Sequence, residues 1–290
     1  MTLAFVIAIL FAAAAVLLVC LAIIDQRALR AEWRRLAALQ PDPPARFAEA
    51  MVAGLPEPAR RYLSHAIAPG TPLLRVATLT MTGRFSLGTR DRPDYRPMTA
   101  RQILAAPDGF VWAMRMNGRL PVSGSDSGRW TRFGILGLIP VARLGGTSDH
   151  TRSAYGRNVA EAAIWTPAAL LPRPGVTWEG VGGDIARVTV AHRGLTQTVD
   201  IRIDARGCPR EVFFRRWSDA NPDRVFRLQP FGAYLSDFRE VDGYRLPFRV
   251  EAGNLFGTDG YFPFFIAEIG EIRFPGPCSR RIRSCTACRR

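Results

Sequence analysis

Lysine is absent from this chain of 290 residues, and histidine and cysteine are scarce. All 39 basic residues are therefore arginine, and with 25 acidic residues they give a net charge of +14. Without lysine the chain cannot contain a glycine-rich phosphate loop that ends in lysine. A basic chain can meet nucleic acid or an anionic membrane surface. The arginines are spread along the chain instead of forming one stripe, so nucleic acid is an unlikely partner.

The few histidines give no sign of a metal site or of catalysis. His65, His150 and His192 are too far apart in sequence for metal-ligand spacing, and no His-Glu-x-x-His pattern is present. No Gly-x-Ser-x-Gly turn stands out either, and residues 123–128 (SGSDSG) are interpreted as a small polar loop. The sequence therefore predicts no cofactor, no metal and no catalytic residue, and an unrecognised enzyme remains a minor alternative.

The five cysteines do not form a disulfide framework. Cys20 lies in an apolar run and Cys208 follows a turn, while Cys278, Cys285 and Cys288 crowd the C-terminus. The C-x-x-C at 285–288 lacks the strand and helix that a thioredoxin-like site requires. With its arginines, the segment 275–290 is predicted to be a disordered basic tail.

A long run without charge opens the chain, from Leu3 to Ile24. At about 1.5 Å per residue a helix of this length spans roughly 33 Å, close to the thickness of a hydrocarbon core. No basic residue precedes the run and no cleavage site follows it, which distinguishes it from a signal peptide. Residues 1–25 are therefore predicted to be an uncleaved transmembrane anchor in the inner membrane of a bacterial cell.

The charged residues that flank this run indicate on which side of the membrane the C-terminal domain lies. Arg27, Arg30, Arg34 and Arg35 follow it, and no arginine precedes it. The positive-inside rule then favours a cytoplasmic C-terminal domain. Residues 26–54 are predicted to form a helical stalk that ends in a proline-rich linker, because proline cannot continue a helix.

From about residue 74 the apolar period changes from helical to two, which is typical of β-strands. Short turns separate the strands, so neighbouring strands should pair antiparallel. One mid-chain helix is expected from Thr151 to Leu171, capped by Asp149 or Thr151. We expect one mainly β (α+β) domain over 55–274: a curved antiparallel sheet or open half-barrel with one or two covering helices.

Three blocks of this domain resemble an uncharacterised bacterial family: LPEPARRYL (55–63), LGLIPVA (136–142) and EAAIWTPAALLP (161–172). The resemblance runs over 55–274 and brings no activity or site residue with it. The segment 238–248 (FREVDGYRLPF) is similar to a strand-turn-strand of the LolA and LolB lipoprotein carriers. That likeness implies an extracytoplasmic half-barrel, whereas the arginines after the apolar run favour a cytoplasmic domain. The sequence therefore leaves open on which side of the membrane the domain lies.

Aromatic residues are abundant in the predicted strands and helix, and a curved sheet under a helix commonly encloses an apolar cavity. Arg157 and Glu161 lie four residues apart, on one face of the helix, where they can form an ion pair that stabilises the helix or, alternatively, a polar contact at a cavity mouth. The candidate cavity residues are Trp112, Trp130, Trp165, Trp178, Phe214, Trp217, Arg157 and Glu161.

Two functions follow from these features. The first is a membrane-anchored binding domain whose curved sheet accommodates a lipid or another apolar ligand. The second is a membrane-tethered interaction or scaffold domain without a ligand cavity, whose partner is a membrane protein.

Overall fold

A computed structural model describes residues 2–276. Within these residues the chain forms three α-helices and two short 3-10 helices. They are α1 (Thr2–Ala37), α2 (Glu57–Ala66), α3 (Ser148–Trp165) and the 3-10 segments Glu49–Met51 and Pro167–Leu170.

The remaining elements are strands of a single antiparallel sheet. They are β1 (Val76–Ser86), β2 (Tyr95–Ala105), β3 (Gly109–Met116), β4 (Val122–Ser127), β5 (Trp130–Ile135), β6 (Ile139–Gly145), β7 (Val176–Val181), β8 (Ile185–His192), β9 (Leu195–Ile203), β10 (Pro209–Ser218), β11 (Arg227–Val241), β12 (Tyr244–Asn254) and β13 (Phe262–Arg273).

The strand order explains how one helix can contact both halves of the sheet. The order is β6-β5-β4-β3-β2-β1-β13-β12-β11-β10-β9-β8-β7, so two meanders join where β1 pairs with β13. The chain passes from one edge, β6, to the other, β7, through α3. This helix packs against strands of both meanders, chiefly β9 and β10 and also β2, β3 and β12. The predicted fold class, a curved and open antiparallel sheet, is confirmed.

The concave face carries the main core, and the alternation of the strands decides which residues enter it. In β12, Leu246, Phe248 and Val250 are buried while Arg245 is exposed. At one end of this face α2 packs on β7, β8 and β12. Side chains alternate between the two faces of a strand, so every second side chain lies under a covering helix.

The second half of α1 packs on the convex face. Leu29 and Leu36 are buried in a small cluster with Ile103, Val111 and Trp130. Just past the helix, the side chain of Gln40 bonds to the backbone of residues 75 and 76 at 2.9–3.0 Å. Residues 26–40 therefore lie on the sheet along their length.

The first half of α1 makes no comparable contacts. Its apolar side chains, among them Leu3, Phe5, Leu10, Phe11 and Val16, are exposed. Among the described residues it is the one helix whose length and mean hydropathy, 3.2, suffice to cross a membrane. A helix that is apolar on all sides and covered by nothing is typical of a membrane span.

Two local predictions were wrong, the polar loop at 123–128 and the bounds of the mid-chain helix. Residues 123–128 are not a loop, because they form most of β4, which pairs with β3 and β5 on either side. Gly124 is required there, since a Cβ would lie 2.0 Å from the carbonyl oxygen of Arg132. The helix begins at Ser148 with Thr147 as its cap, and it ends at Trp165 before Pro167. The tail cysteines lie outside the described residues.

Candidate functional site: an aromatic cavity under the central helix

A cavity of about 290 Å³ lies between α3 and the concave face of the sheet, at the end of the central strands that α2 does not reach. We call it the aromatic cavity. Its rings come from both meanders because the curved sheet folds around α3. The aromatic residues of its wall are Phe85, Trp112, Phe133, Trp165, Phe214, Phe231, Phe264 and Phe265.

These rings support one another at the distances of ordinary aromatic pairs. The ring of Trp112 lies 6.1 Å from both Phe133 and Phe265, in edge-to-face arrangements. Phe231 lies 5.6 Å from Phe214 and 6.1 Å from Phe264. Such pairs are favourable beyond the area they bury, so the wall holds its shape without filling the space.

A charged cluster closes one side of the cavity. The guanidinium of Arg157 on α3 contacts Glu161 Oε1 at 2.6 Å and Asp126 Oδ2 at 2.8 Å. Glu161 also accepts a hydrogen bond from the buried side chain of Gln102. Burial lowers the pKa of Arg157, but the two carboxylates outweigh it, so the pKa is raised and the cation is held.

Arg157 also covers part of the aromatic wall. Its guanidinium lies 4.5 Å from the centre of the Phe110 ring and 5.2 Å from that of Trp112. A cation over a ring face is attracted by the ring quadrupole, and the attraction grows as water is excluded. Arg157 is therefore fixed by two ion pairs and two rings, and it has little freedom to bind anything else.

Arg216 on β10 lies in the same wall without a carboxylate of its own. Its guanidinium is 4.9 Å from the centre of the Phe231 ring, and it forms no ion pair within residues 2–276. Its Nε is buried with no hydrogen-bond acceptor. Burial and the nearby Arg157 cation lower the pKa of Arg216 from its usual value. Asp126, Glu161 and Asp219 act in the opposite direction without outweighing these two effects, so an anion that reached the terminal nitrogens of Arg216 would stabilise its charge further.

Five of the residues proposed from sequence come together in this cavity. They are Trp112, Trp165, Phe214, Arg157 and Glu161. The predicted Arg157–Glu161 contact is present, and the structure adds Asp126 as a second carboxylate. Their role in ligand binding remains a prediction.

Three of the proposed residues lie elsewhere. Trp130 belongs to the convex cluster with α1, and its Nε1 donates to Ser125 Oγ at 2.9 Å. Trp178 is buried beside Tyr62, near α2. Trp217 donates to Asp149 Oδ1 at 2.7 Å beside the start of α3. Each fills a structural position outside the cavity wall.

Arg216 was missed by the sequence analysis, although a signal for it exists. Val212 and Phe214 alternate with Phe213 and Arg215 along β10, and Arg216 falls on the same side as Val212 and Phe214. Period-two alternation therefore places it in the cavity wall. Phe231 of β11 and Phe264 of β13, two of the abundant aromatic residues of the strands, also line this wall.

Within the part of the chain that the structure describes, no group of three or more His, Cys, Asp or Glu side chains is placed to hold a metal ion. The cavity wall combines two guanidinium groups, Arg157 and Arg216, with two carboxylates, Asp126 and Glu161, and a set of aromatic rings. Apolar walls with a few convergent polar groups are typical of small-molecule sites.

Fold and cavity together define a cavity-forming protein built on a single open β-sheet. The chain belongs to a family of unknown function, DUF6544, whose model matches residues 45–267. The predicted membership of an uncharacterised family is thereby confirmed.

Solved structures with similar folds include two distant ones. One is a LolA superfamily protein from Nitrosomonas europaea, with 10% identity, a TM-score of 0.39, and coverage of 75% of this chain and 91% of that chain. The other is a DUF1329 family protein from Desulfovibrio piger, with 10% identity, a TM-score of 0.37, and coverage of 69% and 86%. No curated protein matches the chain.

Proposed function

We propose that this protein is a membrane-anchored binding protein that holds a lipid or another apolar ligand in the aromatic cavity. The observation that carries the proposal is the cavity itself, about 290 Å³ of space with an aromatic wall. Its volume is at the lower end of the range for small-molecule sites.

The arginines of the cavity wall favour a ligand with an anionic group at one end. Arg157 is neutralised by Asp126 and Glu161, whereas Arg216 has no such partner among the described residues. We propose that Arg216 binds a carboxylate or phosphate at one end of the ligand. Hydrogen bonds between a guanidinium and such an anion are short and strong, and they fix the orientation of the bound molecule.

We further propose that the protein is anchored so that this cavity lies next to a lipid phase. We propose that residues 3–24 of α1 span the inner membrane once and that the domain stands on its cytoplasmic side, as the four following arginines favour. A C-terminal fusion to alkaline phosphatase tests the side. Phosphatase activity without signal from a cytosol-only fluorescent reporter would place the domain outside.

Native mass spectrometry of the full chain, released from membranes in a mild detergent, tests the binding proposal. Because an apolar helix released in detergent can retain lipid, the informative comparison is with Ala160→Phe, which puts a ring into the cavity from α3. The matched control is Ala191→Phe, at an exposed position of β8. We expect one additional apolar anion on the wild type and on the Ala191→Phe variant, and none on the Ala160→Phe variant.

Equal lipid content in all three proteins would contradict the binding proposal. A discrete protein partner, crosslinked in intact membranes to a chain that carries no cavity ligand, would then support the interaction or scaffold hypothesis.

A further inference from the structure

One edge of the sheet exposes an apolar hairpin. We call residues 130–145, which comprise β5, β6 and their turn, the edge hairpin. Its large apolar side chains are 41% to 65% exposed at Leu136, Leu138, Ile139, Val141 and Leu144. An exposed apolar edge strand in water invites aggregation, so its exposure points to an apolar surrounding.

The tip of the edge hairpin carries leucine where a water-exposed turn rarely has it. Leu136 and Gly137 both have positive φ, 55° and 72°, and Leu138 N bonds to Ile135 O at 3.0 Å. Two-residue turns of this kind strongly prefer asparagine, aspartate or glycine. A positive φ is unfavourable for leucine. Leucine at this position is therefore best explained by its side chain, which an apolar phase would bury.

Ion pairs attach the edge hairpin to α1 at the end of the apolar run. Asp25 Oδ1 contacts Arg132 at 2.8 Å, and Asp25 Oδ2 contacts Arg143 at 2.6 Å. Asp25 is the first charged residue after the uncharged run from Leu3 to Ile24. If that run crosses the membrane, this part of the edge hairpin lies at the membrane surface.

The edge hairpin also points toward the membrane-spanning half of α1. Its base, at Trp130, shares a cluster with Leu29 and Leu36. Its tip, at Gly137 and Leu138, instead lines a groove with Leu21 and Ala22. At roughly 3.3 Å per strand residue, the tip reaches up to about 13 Å beyond Arg132, which is enough to pass the head-group layer.

The groove between α1 and the edge hairpin has a volume of about 440 Å³ and is strongly basic. We call it the arginine groove. It contains Arg101, Arg115, Arg132 and Arg143, and Asp25 is the one acidic residue that lines it. Four cations against one anion leave a surplus that lipid phosphates can neutralise.

We propose that the edge hairpin inserts its apolar tip into the bilayer that holds α1, while the arginine groove binds the phosphates of anionic lipids. The inference rests on the membrane anchorage proposed above, but not on the aromatic cavity. It gives the domain a second contact with the membrane, so the domain is held in one orientation against the bilayer and does not swing on α1.

Photo-crosslinking of the full chain tests this directly. Benzoylphenylalanine is placed singly at Val16 in the apolar half of α1, at Ile139 in the edge hairpin, or at Val225, an exposed apolar residue of a distant loop. Each protein is reconstituted in nanodiscs of equimolar phosphatidylglycerol and phosphatidylcholine, irradiated and analysed by mass spectrometry. We expect lipid adducts at Val16 and Ile139 and none at Val225.

The three positions separate the possible failures. Lipid adducts at Val16 without adducts at Ile139 would overturn the inference and leave the anchorage intact. No adduct at Val16 would overturn the anchorage and the inference with it. In intact membranes, a protein adduct at Ile139 that replaces the lipid adduct would show a membrane-protein interface instead.

The arginine groove has its own readout in the same nanodiscs. We expect phosphatidylglycerol to be enriched in the Ile139 adducts above its share of the lipid, and Arg101→Gln with Arg115→Gln to abolish the enrichment. If the protein with all its groove arginines gave phosphatidylglycerol and phosphatidylcholine adducts in equal amounts, the proposed binding of lipid phosphates by the arginine groove would be overturned.

Discussion

The two ends of the concave face are both rich in aromatic rings, yet one is filled and the other is open. At the filled end, Tyr62 of α2 packs beside Trp178 and donates its hydroxyl to Ala163 O at 2.9 Å. At the open end, Phe231 and Phe264 line the aromatic cavity. The difference follows from the length and place of the covering helices, because α2 reaches the first end only.

The comparison shows that the aromatic residues of this fold have two separate purposes. Where a second helix covers the sheet, rings complete a close-packed core, and removing one creates a void. Where α3 alone covers the sheet, the rings form a wall around a space that no side chain of the protein fills. A substitution at the filled end should therefore mainly lower stability. A substitution at the open end should mainly reduce ligand binding.

The largest expected effect is at the filled end. Tyr62→Ala should lower the free energy of unfolding by about 3–5 kcal/mol, as for other large buried rings, because Tyr62 is fully buried. Phe264→Ala, at the partly exposed open end, should cost only about 1 kcal/mol. Chemical unfolding of the full chain in detergent measures both. Equal losses would mean that the open end is packed as closely as the filled one.

The two arginines of the open end give the next contrast. Arg157→Leu leaves Asp126 and Glu161 without their cation and should destabilise the fold by about 1–3 kcal/mol. Arg216→Leu removes no ion pair among the described residues and relieves a buried Nε without an acceptor, but it also removes the cation over the Phe231 ring, so the loss of stability should be smaller, about 0.5–1 kcal/mol. Binding of an anionic ligand should nevertheless be lost. A strong loss of stability on Arg216→Leu would assign it a structural role.

Alkaline pH should weaken the filled end. Burial raises the pKa of Tyr244 to about 12 and that of Tyr62 well above its usual value. The unfolded chain loses these protons near pH 10, so their stabilising effect is complete below that pH and is lost as the pH rises toward 12. Unfolding between pH 9 and 11 should show a steeper decline for the wild type than for Tyr62→Phe. The exposed Tyr234→Phe is the control, and identical slopes in all three would contradict this.

Much of this could be predicted from sequence, and the limits have physical causes. The change to a period of two near residue 74 indicated an antiparallel β domain, and the spacing of Arg157 and Glu161 indicated their contact. Strand alternation shows which side chains share a face, but not what covers that face. For this reason Trp130 and Trp178 were grouped with Trp112, although one lies under α1 and the other beside α2.

Strand β4 was missed for a related reason. Its serine and glycine residues have low β propensity, and the strand exists because β3 and β5 offer backbone partners on both sides. Arg216 was overlooked because an arginine in a strand is usually a solvated side chain. Its position shows only when Val212 and Phe214 are known to face the cavity.

The smallest expected effect concerns a third region, the junction of α1 with the edge hairpin. Asp25→Asn breaks the ion pairs to Arg132 and Arg143, each of which is partly exposed and worth about 0–1 kcal/mol. Global stability should hardly change, while hydrogen exchange of residues 136–144 in nanodiscs should become faster. Unchanged exchange would show that the hairpin is positioned by other contacts.

The central claim is that the aromatic cavity at the open end is a ligand-binding site. The most direct test is the melting temperature, Tm, of the full chain in nanodiscs as a long-chain carboxylate is added below its micelle concentration. A ligand that binds only the folded state raises Tm with its concentration. We predict a rise for the wild type and for the exposed control Ala191→Phe, and none for the cavity-filling Ala160→Phe. No rise in any of the three proteins, or equal rises in all of them, would contradict the claim.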